Sequence, residues 1–137
     1  MYVFILVGGA ISWCSKKLTY ITLSTIEAEY VTCSATIQEA ICLKSLLHNV
    51  SFLPQGNEAM LVYCDSTSAL AYAKDPKYHG KSKHIDICHH YIRDMAAQGE
   101  VVLKHISTRD MMADPLTKPI ARDLFLSHIS SMGLHRF

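Results

Sequence analysis

The sequence predicts a mixed α/β domain, and three observations predict it. Two short β-rich runs flank Gly8-Gly9 at the start of the chain. Ser24-Thr25-Ile26-Glu27, a helix-start signature, opens a long stretch of helical spacing. An apolar run at residues 60–64 (MLVYC) ends at Asp65 and leads directly into helix-forming residues. Strand patterns and helix patterns then continue to alternate, as they do when a domain packs helices on a sheet.

Taken in order, residues 2–7 (YVFILV) form a β-rich run, and Gly8-Gly9 is a hairpin signal. Residues 10–15 (AISWCS) alternate as a returning strand, closed on the solvent side by Lys16-Lys17. Behind the Ser-x-x-Glu capping box, Ala28, Val31, Ala35, Ile41 and Leu46 recur at helical spacing, which predicts a helix over about 25–48 and a core stripe. Pro54-Gln55-Gly56-Asn57 is a turn. The run at 60–64 has the look of a strand buried on both faces, and Ser66 is an N-cap for the ALAYAK helix that follows. Residues 75–83 form a basic loop. A second long helix covers about 85–98, with Ile85, Cys88, Tyr91, Ile92 and Met95 on one face and Gly99 as its stop. Residues 100–107 (EVVLKHIS) are a strand. From Thr108 the chain is helical again, interrupted by Pro115 and Pro119, with a tail helix in 119–137 that stops near Met132-Gly133. The order is β-β-α-β-α-α-β-α.

Composition narrows the class. The chain has 137 residues, with 13 Lys+Arg against 12 Asp+Glu. That length suits one domain over 1–137 with enough chain to bury a core. Half the residues are apolar and 18% are charged, which excludes disorder for the bulk of the chain. A net charge of +1 supplies no global attraction for nucleic acid, so any such binding needs a local patch. The five cysteines (Cys14, Cys33, Cys42, Cys64, Cys88) include no C-x-x-C pair and read as thiols of a reducing compartment. The apolar run at the start is too short for a membrane span and lacks the basic flank of a signal peptide. The expectation is a cytoplasmic or nuclear protein with no membrane partner.

Three acids stand out by position. Glu29 lies one turn into the first helix, Asp65 ends an apolar strand where α/β sheets place their ligands, and Asp114 opens the last helical segment before Pro115. Converging, they would make an oxygen-rich site suited to Mg²⁺. Each also has a plain structural reading: Glu29 as a solvated acid favoured by the helix dipole, Asp65 as an N-terminal capping acid, and Asp114 as a surface acid.

A resemblance weighs on that choice. The blocks Gly9-Ala10-Ile11-Ser12-Trp13-Cys14-Ser15-Lys16-Lys17 and Leu23-Ser24-Thr25-Ile26-Glu27-Ala28-Glu29-Tyr30 resemble the ribonuclease H domain of copia-type retrotransposon Pol polyproteins. So do Tyr63-Cys64-Asp65-Ser66-Thr67-Ser68-Ala69, Lys83-His84-Ile85-Asp86-Ile87 and Met112-Ala113-Asp114-Pro115-Leu116-Thr117-Lys118-Pro119. The similarity covers essentially the whole chain in order. It implies an RNase H-like mixed sheet of five strands flanked by helices, and Mg²⁺-dependent cleavage of the RNA strand of RNA–DNA hybrids. Four acids hold the metals in that family. The resemblance maps three of them onto Glu29, Asp65 and Asp114; Glu27 is set aside because the capping box uses it. The fourth belongs to the family's first strand, which lies in the middle of the sheet and upstream of the hairpin.

No Asp or Glu precedes Glu27 in this sequence, and residues 2–7 and 10–15 match the family's second and third strands. The expectation is a domain incomplete at its N-terminus, with that central strand missing and two inner strand edges unpaired. With three carboxylates left, Mg²⁺ binding is expected to be weak and nuclease activity impaired. Met1 is then expected to mark the start of a reading frame and not of the folding unit.

The one locally basic stretch runs from Lys74 to Arg93. It carries Lys74, Lys77, Lys81, Lys83 and Arg93 together with His79, His84, His89 and His90. Lys74, Lys77, Lys81, Lys83, His84 and Arg93 are the candidate contacts to phosphates, and a hybrid read through backbone and groove shape is the natural partner. A merely solvated basic loop is the plain alternative. Zinc at His84, Asp86, His89 and His90 is disfavoured, because Cys88 belongs to the apolar face. Trp13 and Tyr63 are expected in the core, and His105 at a surface or edge. The remainder of a Pol polyprotein is a further expected partner. Two other classes compete: a non-catalytic relic that binds nucleic acid weakly, and an interaction protein that accepts a strand from a partner.

Overall fold

The computed structural model describes residues 1–16, 24–54, 56, 58–75 and 83–135. The chain is mixed α/β, with small sheets and helices, and divides into two compact units. One unit holds residues 1–19 with 107–137 and the other holds residues 20–106.

The terminal unit begins with β1 (Tyr2–Leu6) and β2 (Gly9–Cys14), an antiparallel hairpin in which Leu6 pairs with Gly9. The two-residue turn is therefore Val7-Gly8, one residue earlier than the Gly8-Gly9 signal suggests. Both turn residues have positive φ, 52° and 77°, the primed-turn geometry that matches strand twist. Gly8 adopts it freely, while Val7 does so as an exposed β-branched residue. The ladder shifts register between Phe4 and Ile5. Trp13, expected in the core, is 62% exposed. It sits on a two-stranded ribbon whose residues are all at best half-buried, so alternation places it outward with nothing to cover it.

The same unit continues through two 3₁₀ turns, Thr108–Asp110 and Asp114–Leu116, to helix α4 (Arg122–Ser131). α4 replaces the longer tail helix predicted for 119–137; it stops where Gly133 takes φ +74°, with Gly133 N–H donating to Ser130 and Leu134 N–H to Ile129. These bonds satisfy the last carbonyls of the helix. A side chain is excluded at Gly133 for a second reason, since a Cβ there would lie 2.5 Å from the Gly8 carbonyl oxygen. The Ala10 N–H donates to the Met132 carbonyl at 2.9 Å. The hairpin and the end of α4 are thus joined backbone to backbone.

The central unit starts with the long helix α1 (Thr25–Asn49). Both arms of the predicted capping box are present: Glu27 N–H donates to Ser24 Oγ, and Ser24 N–H donates to the Glu27 carboxylate. β3 (Met60–Cys64), α2 (Thr67–Lys74), α3 (Lys83–Ala97) and β4 (Val101–His105) follow. Ser66 caps α2 as expected, its Oγ accepting from Ala69 N–H at 3.1 Å. β3 and β4 pair in parallel, Met60 beside Val101 and Cys64 beside His105. Among the described residues the four strands make two separate two-stranded sheets, one per unit.

The core of this unit is formed by Tyr30, Ile37 and Ala40 of α1, Ile85, Cys88, His89 and Ile92 of α3, and Val62 and Val101 of the sheet. Two expectations fail here. The buried face of α1 runs through Glu27, Tyr30, Ser34, Ile37, Ala40 and Lys44, while Ala35 and Leu46 of the predicted stripe are exposed. Apolar residues surround this helix, so spacing alone does not select the face; packing does. β3 is not covered on both sides, for Leu61 and Tyr63 are about half exposed while Val62 is buried. Tyr63 is therefore not a core residue. A ladder of only two strands leaves its outward positions open. At the other end of α1, Lys44 forms a 2.9 Å ion pair with Glu100, just before β4.

Candidate functional site: two acids at the end of a parallel strand

Asp65 follows the last residue of β3, and Ser66 then caps α2. This strand-to-helix junction places a carboxylate at the C-terminal end of a parallel pair, the usual ligand side of such sheets. Glu29 is one turn into α1 and half-buried, with Cys33 one turn further along the helix.

Cys64 ties these groups together. Burial pushes its thiol up, hydrogen bonding with the Ser66 backbone works against that, and the negative charges of Asp65 and Glu29 both raise it further. Charge effects of this kind act over short range. One sulfur therefore registers both carboxylates, one from the strand end and one from the helix. Burial also pushes the Cys33 thiol up to about 12, with Cys64 adding to the shift. At neutral pH both sulfurs are neutral thiols and poor nucleophiles. The five cysteines are all free, with Cys42 exposed and Cys88 buried.

The third acid belongs to the other unit. Asp114 opens the second 3₁₀ turn, is 3% exposed, and pairs with Lys118 at 3.0 Å. Its reading as a surface acid is therefore wrong. Sequence reasoning passed over Lys118, although the i, i+4 spacing of Asp114 and Lys118 is a visible signal. It also passed over the thiols Cys33 and Cys64 as neighbours of the acids. Among the described residues, no group of three or more His, Cys, Asp or Glu side chains could hold a metal ion.

Of the basic candidates, Lys74 is exposed at the end of α2, Lys83 and His84 are exposed in the first turn of α3, and Arg93 is half-buried. Lys77, Lys81 and His79 lie outside the described residues. His84 Nε2 is 3.9 Å from the Cys88 thiol, and His89 is buried edge-on against Tyr30 of α1. His89 is thus a core residue and not part of a basic surface. His105 is exposed at the end of β4, as expected. No described helix is long and apolar enough to cross a membrane.

Comparison with known proteins follows the whole chain. It is 40% identical over 134 residues, 98% of its length, to the retrovirus-related Pol polyprotein from transposon TNT 1-94 of Nicotiana tabacum. It is 35% identical over 98% of its length to the corresponding polyprotein from transposon RE1 of Arabidopsis thaliana, and 34% identical over 97% to that from transposon RE2 of the same plant. The chain covers 10%, 9% and 9% of those proteins. Its homologues are thus single segments of much longer polyproteins. No protein-family model matches the chain. No solved structure matches it.

Proposed function

We propose that this chain is the ribonuclease H-like region of a copia-type retrotransposon Pol polyprotein, and that it engages RNA–DNA hybrids. The observation that carries the reading is the position of Asp65 at the C-terminal end of a parallel strand, in a chain that aligns over nearly its whole length with transposon Pol polyproteins. Homology to transposon Pol polyproteins over nearly the whole chain supports the polyprotein context, with the rest of such a polyprotein as a partner. In this reading Lys74, Lys77, Lys81, Lys83, His84 and Arg93 contact the phosphate backbone, and binding is indifferent to base sequence.

Catalysis by the 137 residues alone is impaired in this reading. Asp114 is paired with Lys118 at 3.0 Å, which sets a lysine ammonium group against any cation at that carboxylate. Mg²⁺ is the cation the reading calls for, with Glu29 and Asp65 as its candidate ligands in the central unit and Asp114 in the terminal unit, and weak binding is expected. The pairing of Asp114 with Lys118 favours the second reading, a non-catalytic relic that binds nucleic acid weakly.

A hybrid labelled on its RNA strand tests both. Binding is expected at low salt, weakening as salt rises and in the double variant Lys74→Ala, Lys83→Ala, with cleavage in Mg²⁺ close to the blank. A chain that does not bind the hybrid overturns the proposal. Turnover that disappears in Asp65→Asn overturns the impairment and the relic reading together.

A further inference from the structure

The Asp114 carboxylate, proposed above as a cation ligand, is already occupied by a cation of the chain's own. Its Oδ1 accepts from Lys118 Nζ at 3.0 Å, and the aspartate side chain is 5% exposed against 48% for the lysine. The backbone holds the two residues in this relation. The Asp114 carbonyl accepts the N–H groups of Thr117 and Lys118 at 3.0 and 2.9 Å, so the turn closes on itself. Pro115 at the start of the turn fixes its own φ. Ser15 Oγ, just beyond β2, donates to the Leu116 carbonyl at 2.7 Å and anchors the turn to the end of the hairpin. A carboxylate this buried needs a positive or hydrogen-bonding partner, and Lys118 supplies one from the solvent side.

We infer that Lys118 is a positioning residue, an internal counter-ion that fixes the Asp114 carboxylate and competes with divalent cations for it. The inference rests on the proposed role of Asp114 and adds to it: a cation approaching Oδ1 meets an ammonium group already bonded there. Because the lysine is half exposed, its hold is that of a solvent-screened pair. Removing it should raise cation affinity by about three- to fivefold and not by orders of magnitude.

The test is a titration of the full 137-residue chain with Mn²⁺ alone, following paramagnetic broadening of the amide signals around Asp114 by NMR. Wild type is compared with Lys118→Met, Lys118→Gln and Lys118→Arg. Mn²⁺ affinity at Asp114 is expected to rise about three- to fivefold in the Met and Gln variants and to return to the wild-type value with Arg. Equal affinity in all four proteins overturns the inference, as does the absence of broadening in every one. Loss of the hairpin signals in both Met and Gln variants makes the pair purely structural and overturns it as well. The hybrid assay reports separately. A chain that ignores hybrids yet shows this Mn²⁺ pattern loses the functional proposal and keeps the inference, and the opposite pair of results does the reverse.

Discussion

The two units handle acids and cores in opposite ways. In the central unit, Glu29 and Asp65 both raise the half-buried Cys64 thiol, and the core of Tyr30, Ile37, Ile85, Ile92 and Val101 is almost wholly closed to solvent. In the terminal unit, Asp114 stands with a lysine partner, and among the described residues the deeply buried side chains are few: Ala113, Asp114, His128 and Met132. That unit is closed by bonds to main-chain carbonyls instead, from the Ala10 N–H to Met132 and from the Ser15 hydroxyl to Leu116, with Gly133 against Gly8. The contrast teaches where each kind of substitution should act. Side-chain volume governs the central unit and backbone geometry the terminal one.

The largest expected effect follows from the first half of that contrast. Ile37 is 0% exposed on the buried face of α1. Ile37→Ala should cost about 2–5 kcal/mol, through lost transfer energy and the cavity left behind. Chemical denaturation would measure it, and hydrogen exchange should show protection falling first in α1 and α3. Equal loss in the hairpin would break the distinction between the units.

Next is Gly133→Ala, a single methyl group in the terminal unit. The positive φ and the 2.5 Å approach to the Gly8 carbonyl both oppose it, and the obstructing atom is backbone that cannot swing aside. A loss of about 1–3 kcal/mol is expected, compared with under about 1 kcal/mol at a permissive glycine. Amide exchange should locate the damage at Gly8, Gly9 and Ala10. Unchanged stability would show that the close approach is not maintained.

A smaller effect is expected from Ser24→Ala, which removes the acceptor for the Glu27 N–H at the start of α1. The loss should be about 1 kcal/mol, read from thermal unfolding. Glu27→Gln keeps a group that can accept from the Ser24 N–H and should cost less.

Features dictated by local chemistry were legible before any coordinates. The capping box, the Ser66 cap, the hairpin, the order of strands and helices, and the strand-end position of Asp65 all follow from short-range rules and appear in the structure. What escaped depends on neighbours distant in sequence. The face of α1 was misread because its apolar residues surround the helix, so only packing against α3 selects Tyr30 and Ile37. Trp13 and Tyr63 were misplaced because large aromatics usually indicate a core, whereas two-stranded sheets leave one row of positions outward. Val7 entered the turn in place of Gly9 because register, not composition, sets the turn residues. Of the candidate acids, the apolar run at 60–64 places Asp65 at a strand end, whereas the Lys118 partner of Asp114 was visible only as an i, i+4 spacing whose contact the 3₁₀ turn makes.

Asp65 directly follows β3, Glu29 lies one turn into α1, and the charges of both raise the Cys64 thiol, so Cys64 is a built-in probe of their nearness. Both carboxylates raise the Cys64 thiol, so removing either charge should let it fall. The direct measurement is an NMR pH titration of the Cys64 β-carbon in wild type, Glu29→Gln and Asp65→Asn. The account predicts a lower Cys64 pKa in both variants, with the larger drop for Asp65→Asn, the adjacent acid. A Cys64 pKa that ignores Glu29→Gln would contradict it, leaving Asp65 alone at the strand end.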